Sequence, residues 1–266
     1  MRSFSATLPA SWWTGEPDEP SLKQRLDALL VERGLAESRT RAQAMIIAGL
    51  VWSGERRLDK PGVAFPDDTP IDVRGRVHPW VSRGGVKLAH ALDHFGLDPA
   101  GHIALDIGAS TGGFTDVLLQ KGAAKVYAVD VGQGQLAWSL RQDPRVVALE
   151  RCNARYLTSQ EVPEPPGFVT CDASFIGLAT VLPAALALAA QGARLVALIK
   201  PQFEAGKGKV GKGGVVRDPE LHAEICRRIS DWLAEQPGWE VIGVTESPIR
   251  GPEGNIEFLI AAHRLA

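Results

Sequence analysis

Six ionisable residues stand where a chain of alternating strands and helices would place chemistry. Asp106 lies near the end of the apolar run 103–107, Asp130 follows 125–129, Asp172 follows 168–171, and Lys200 follows 195–199. Short apolar runs separated by helical patterns read as buried parallel strands, and such sheets bind ligands at the carboxyl ends of their strands. A lysine among carboxylates in a crevice can activate or stabilise a reacting oxygen. Lys87 precedes the first strand in Ser82-Arg83-Gly84-Gly85-Val86-Lys87-Leu88. Glu257 opens the last in Asn255-Ile256-Glu257-Phe258. Each of these two alone reads as a surface charge.

After Asp106 the chain runs Ile107-Gly108-Ala109-Ser110-Thr111-Gly112-Gly113-Phe114. Glycines there let the backbone approach a ligand where a Cβ would collide. Three residues separate Gly108 from Gly112, so the GxGxxG dinucleotide fingerprint fails, and with it a nicotinamide oxidoreductase. No GKS or GKT follows, so a P-loop fails too. The spacing Asp-x-Gly-x-x-x-Gly-Gly-Phe instead resembles the cofactor loop of methyltransferases. That resemblance implies S-adenosylmethionine, held by Asp106, Gly108, Ala109, Ser110, Gly112, Gly113 and Phe114, with Asp172 at the same rim. Asp130, about 24 residues past Asp106, would accept from the ribose hydroxyls. Asn153, in Arg151-Cys152-Asn153-Ala154, stands where related enzymes carry an acid near the adenine, and an amide can hydrogen-bond that edge.

In chain order, Lys87, Asp172, Lys200 and Glu257 resemble the Lys-Asp-Lys-Glu tetrad of FtsJ-type ribose 2′-O-methyltransferases. The likeness implies that Lys200 activates a ribose hydroxyl, as a neutral base or as a cation, while the other three orient it and set its charge state.

These residues need a scaffold, and the periodicity supplies one. Strands are expected at 103–107, 125–129, 146–149, 168–171 and 195–199, completed by two late strands near 240–244 and 256–262. The fold class is α/β: a Rossmann-like, doubly wound parallel sheet over 85–266, preceded by a linker at 76–84. A small α+β domain is expected at 21–75. There Leu22, Leu26, Leu29 and Leu30 recur at helical spacing up to Gly34, Ser38 caps a second helix ended by Gly49, and strands at 50–52 and 71–73 flank a Ser53-Gly54 turn. Residues 1–20, with Trp12 and Trp13, read as a flexible extension.

In the small domain, Lys23, Arg25, Arg33, Arg39, Arg41, Arg56, Arg57 and Lys60 outnumber the acids. Arg25-Leu26-Asp27, Arg41-Ala42, Ile46, Gly49 and 51–54 resemble the S-four-type RNA-binding domain, which implies that Arg25, Arg39, Arg41, Arg56 and Arg57 meet an RNA backbone. Arg83, and Lys207 and Lys212 of the Gly- and Lys-rich loop 204–216, are further candidates for RNA phosphates, the loop acting as a flap. Together with Trp80-Val81-Ser82-Arg83-Gly84-Gly85, Lys200-Pro201-Gln202-Phe203-Glu204 and the run 210–218, the chain beyond Pro20 resembles the TlyA (so-called haemolysin A) family. The resemblance implies methylation of cytidine 2′-hydroxyls in ribosomal RNA, with ribosomal RNA or a ribosomal subunit as partner.

Bulk properties agree with a soluble protein, expected to be cytoplasmic and monomeric. The formal net charge is −2, so any basic surface must be local. The longest mostly apolar stretch, 178–190, is too short to span a bilayer and contains Pro183. Residues 1–20 have no apolar core of a secretory signal. Cys152, Cys171 and Cys226 form no CxxC pair and read as reduced thiols. His90 and His94 share a helical face without a third ligand, so no metal is expected. Two other readings stay open: a membrane-lytic protein, and an RNA-binding module whose methyltransferase domain is inactive.

Overall fold

The computed structural model describes residues 23–36, 38–74, 78–206, 208–211, 213–251 and 253–265. The expected extension at 1–20, with Trp12 and Trp13, and the side chains of Lys207 and Lys212 lie outside them. Two compact units divide between residues 77 and 78.

The first unit opens with a strand, where helical spacing from Leu22 suggested a helix. Strand β1 (Lys23–Arg25) precedes helices α1 (Leu26–Glu32) and α2 (Arg39–Ile47). Strands β2 (Val51–Ser53), β3 (Arg56–Arg57), β4 (Ala64–Pro66) and β5 (Asp72–Val73) follow. β1 pairs antiparallel with β4, while β3, β2 and β5 form a second small sheet. The β1–β4 pairing joins segments about 40 residues apart, and it removes Lys23–Arg25 from the helix that local periodicity favours. Ser38 Oγ accepts from Arg41 N at 3.2 Å and caps α2. Gly34 and Gly49, at φ +69° and +73°, follow the ends of the two helices. The core is Leu26, Leu30, Ala42, Met45, Ile46 and Val51.

The second unit begins with α3 (Gly84–Phe95). Then come β6 (Ile103–Ile107), α4 (Gly113–Gln120), β7 (Lys125–Val129), β8 (Val146–Leu149), β9 (Phe168–Cys171) and β10 (Arg194–Ile199). A helix at Pro219–Ala234 leads to β11 (Trp239–Glu246) and β12 (Phe258–Arg264). The seven strands form one sheet in the order β11-β12-β10-β9-β6-β7-β8. The expected parallel sheet is present with one correction: β12 runs antiparallel between β10 and β11. β11 returns directly into β12, and so short a connection cannot carry a parallel crossover.

Both faces of the sheet are covered, which is why its strands read as continuous apolar runs. Leu88, Leu92, Val117, Leu118, Val126 and Val196 pack on one side. Leu105, Val169, Leu182, Leu186, Ile225 and Ile229 pack on the other. β6 therefore departs through α4 on one face, and β9 departs through the helix at Pro183–Leu188 on the opposite face. Neighbouring strands whose connections diverge in this way leave a crevice at their carboxyl ends. The switch point lies between β6 and β9.

Candidate active site

Two adjoining cavities open at that switch point. The first, about 350 Å³, is lined by Arg83, Lys87, Asp172, Ser174, Lys200 and Glu257, with Gly108 to Thr111, Gly113 and Phe114 along one wall. The second, about 460 Å³, is lined by Asp130, Asn153, Asp172 and Ser174, with apolar walls from Ile107, Val129, Val131, Ile176 and Val181. They share Gly108, Ser110, Asp172, Ser174 and Phe175. All four tetrad residues thus meet in one cavity, next to a second cavity that holds Asp130 and Asn153.

The tetrad forms two ion pairs. Lys87 Nζ stands 2.5 Å from Glu257 Oε2, with both side chains buried. Lys87 comes from α3 and Glu257 immediately precedes β12, so the pair joins segments 170 positions apart. Lys200 Nζ lies 2.7 Å from Asp172 Oδ1. It donates to Asp172 O at 3.0 Å and to Ser174 Oγ at 2.9 Å. Asp172 Oδ1 is within ion-pair distance of the amine, but it accepts no aligned hydrogen bond. Three oxygens around Nζ match the three donors of an ammonium in number.

The glycine turn is built for close approach. Gly108, at φ +77°, passes so near β9 that an added Cβ would lie 2.8 Å from Ala173 Cα. Gly112, at φ +99°, is the residue before α4, and a Cβ there would meet Leu140 at 2.3 Å. Gly112 therefore shapes the turn without lining either cavity. Asp130 anchors the turn, since one carboxylate oxygen accepts from Ser110 N at 2.8 Å and the other from Gly132 N at 2.7 Å. Each oxygen keeps further acceptor capacity. Asn153 Oδ1 accepts from Arg155 N at 3.1 Å.

Asp106 departs from the expectation that it lines the crevice. It is wholly buried and borders neither cavity. Thr115 Oγ1 donates to one oxygen at 2.6 Å and Thr170 Oγ1 to the other at 2.9 Å. Its carboxylate ties α4 and β9 to β6, beneath the turn. Burial pushes its pKa up to about 6 despite those two hydroxyls. The folded protein therefore binds this proton more tightly than the unfolded chain, whose carboxyl titrates near 3.8. Its contribution to stability is greatest below about pH 4 and falls as pH rises to about 6, by on the order of 2–3 kcal/mol. Asp106→Asn is expected to flatten that part of the melting-temperature profile, measured as a difference from the unsubstituted protein. An unchanged profile would show that Asp106 does not titrate there.

Sequence reasoning missed two residues. Ser174 touches Lys200, as above. Phe175 is 90% exposed at the mouth shared by both cavities. Its φ of +66° is rare for a bulky residue, and its ring lies 5.0 Å from that of Phe203. An exposed aromatic at a site mouth offers a flat face on which a planar ligand could stack.

In the first unit, Arg25 and Arg39 converge on buried Asp27, through bonds of 2.8–3.0 Å and 3.2 Å. These guanidiniums and Gln43 hold the Asp27 carboxyl well below the usual range. Arg56 and Arg57 are exposed on β3, beyond the Gly54 turn, and Arg41 lies in the first turn of α2. Among the described residues, no group of three or more His, Cys, Asp or Glu is placed to hold a metal ion. No helix among them is long and apolar enough to cross a membrane.

The chain is similar to several known proteins. Residues 80–264 match the FtsJ-like methyltransferase family, and residues 24–64 match the S4 domain. The 16S/23S rRNA (cytidine-2′-O)-methyltransferase TlyA of Mycobacterium tuberculosis is 51% identical over 239 residues, covering 90% of this chain and 89% of that protein. Hemolysin A of Brachyspira hyodysenteriae is 41% identical, covering 88% of this chain and 98% of that protein. A solved structure from Streptococcus thermophilus with a provisional hemolysin name superposes with a TM-score of 0.70 at 43% identity, over 93% of this chain and 90% of that one. The chain is a member of the FtsJ-like methyltransferases, in the TlyA family whose amino-terminal segment is an S4 domain.

Proposed function

We propose that the protein transfers a methyl group from S-adenosylmethionine to a ribose 2′-hydroxyl of ribosomal RNA, at a cytidine. One observation carries the reading: Lys87, Asp172, Lys200 and Glu257 line one cavity that adjoins a half-apolar crevice ending at Asp130 and Asn153. The crevice fits the cofactor. Its apolar walls suit an adenine, the Asn153 amide suits a ring edge, and the Asp130 carboxylate suits a ribose diol. When bound, the cofactor supplies an electrophilic methyl group. Lys200 holds the acceptor hydroxyl, and the Lys200–Asp172 pair takes its proton as the oxygen is methylated and the sulfonium becomes a neutral thioether. Asp172 and Ser174 orient the Lys200 amine, while the Lys87–Glu257 pair lines the same cavity. Phe175 stacks on the target base once that base has left its helix. Excluding water and aligning the two reactants can contribute roughly 7–11 kcal/mol of the barrier.

Incubation with ribosomal RNA and S-adenosylmethionine, followed by nucleoside mass spectrometry, tests the reading. We expect 2′-O-methylcytidine; a methylated base with unmodified riboses would overturn it.

The first unit contributes affinity for RNA phosphates. Arg56→Ala with Arg57→Ala is expected to weaken RNA binding about equally for all sequences. It should also reduce the slope of log K against log salt by about one per lost phosphate contact. An unchanged slope would remove β3 from the interface.

A further inference from the structure

Glu204 is a buried carboxylate that the proposed reaction does not use. Its side chain is 7% exposed, and burial pushes its carboxyl above the usual range. Its Oε1 accepts a hydrogen bond from Leu178 N at 2.7 Å. Leu178 directly follows the loop 172–177 after β9, and Glu204 lies one helical turn past Lys200 at the end of β10. The bond therefore links the two strand-end loops that border the first cavity. Lys200 with Asp172 and Ser174 forms a second link, and Phe203 against Phe175 a third.

Within the first of these loops Phe175 holds its left-handed backbone, a strained conformation for an ordinary residue that persists only where neighbours over-determine it. Gly177 leaves room for the carboxylate, because an added Cβ would lie 3.0 Å from Glu204 Oε2. The φ of Gly177 is −77°, so space and not backbone conformation favours glycine there. Arg228 fixes Glu204 from a third side. It donates to the main-chain oxygen at 2.5 Å and stands 3.8 Å from Oε2.

We infer that Glu204 is a positioning residue that latches the loop 172–177, so that Phe175 is presented to the target base beside Lys200. The inference rests on the proposed ribose methylation. Glu204 touches neither reactant; it acts through the loop. Removing the latch lets Phe175 relax from its strained conformation and displaces Ser174 from the Lys200 amine.

The test is a double-mutant cycle on the full chain, with methyl transfer to ribosomal RNA as readout. Glu204→Ala is expected to lower kcat by about 10- to 100-fold, the scale of a 1 Å misplacement, with little change in S-adenosylmethionine affinity. Glu204→Gln keeps an oxygen for Leu178 N and is expected to recover most of that rate. In a Phe175→Ala background, Glu204→Ala should cost far less than it does alone, since coupled residues are not additive. Full additivity in an active protein, or wild-type turnover by Glu204→Ala, would overturn the latch and leave the reaction standing. No transfer by the unsubstituted protein would overturn both. Should Glu204→Ala fail to fold, Gly177→Ala crowds the same carboxylate from the other loop. Slower transfer at an unchanged melting temperature supports the latch, and wild-type transfer overturns it.

Discussion

Lys200→Ala is expected to lower methyl transfer by roughly 10²- to 10⁴-fold, the range typical of a positioned acid–base group, while S-adenosylmethionine binds almost as before. The separation follows from the two cavities. Lys200 lines the one that holds the tetrad and is absent from the walls of the one that holds Asp130 and Asn153. Its amine sits among Asp172 Oδ1, Asp172 O and Ser174 Oγ, all within 3.0 Å, so its place is fixed before substrate arrives. Such preorganisation spares the enzyme reorganisation during the reaction. Lys200→Arg keeps a positive charge but carries a planar fork in place of a compact ammonium, and it should not restore the rate. Single-turnover transfer and cofactor calorimetry, run on the same preparations, separate the two effects. Near-normal turnover by Lys200→Ala would remove the lysine from the chemistry, and a large loss of cofactor affinity would move it into the neighbouring crevice.

The second large effect is on stability. Lys87 and Glu257 form a pair whose side chains are 6% and 1% exposed, at 2.5 Å. Removing one member strands the other charge in the interior, which typically costs about 3–5 kcal/mol. For a unit of this size that corresponds to a drop of roughly 6–20 °C in melting temperature. We therefore expect Glu257→Ala and Lys87→Ala to be both inactive and markedly less stable. The double variant Lys87→Met with Glu257→Leu removes both charges, keeps similar volume, and should recover most of the stability. It should not recover methyl transfer, because the cavity shared with Lys200 has lost two of its charges. Recovery of activity along with stability would show that the pair serves only the fold.

Much of the candidate site was legible because its residues lie where strands end. Asp130, Asp172 and Lys200 each follow a short apolar run, and the sheet brings them to one rim. Lys87 and Glu257 were legible only through family resemblance. No local pattern says that α3 and the residue before β12 meet, and the contact spans 170 positions. Asp106 shows the opposite case. Its place in a strand-to-turn motif resembled a ligand position, yet Thr115 and Thr170 occupy both of its oxygens. Those partners lie 9 and 64 residues away, and hydroxyls at such distances carry no sequence signal. Phe175 was missed for a related reason. A single aromatic in a loop reads as core, and only its positive φ and exposure show otherwise.

The same limits shaped the reading of the fold. The alternation of strands and helices made the α/β sheet plain, but antiparallel β12 depends on which neighbour it pairs with, and strand periodicity is blind to direction. In the first unit, Lys23–Arg25 became a strand through its partner at Ala64–Pro66. Local helical spacing lost to a non-local ladder there.

The most direct measurement is a crystal structure with S-adenosylhomocysteine bound. We predict the adenine between Val131, Asn153 and Ile176, the ribose hydroxyls on Asp130, and the sulfur at the junction near Gly108 and Asp172, with open space between it and Lys200 Nζ. A sulfur directed away from the cavity of Lys87, Asp172, Lys200 and Glu257, or separated from it by protein, would contradict the account.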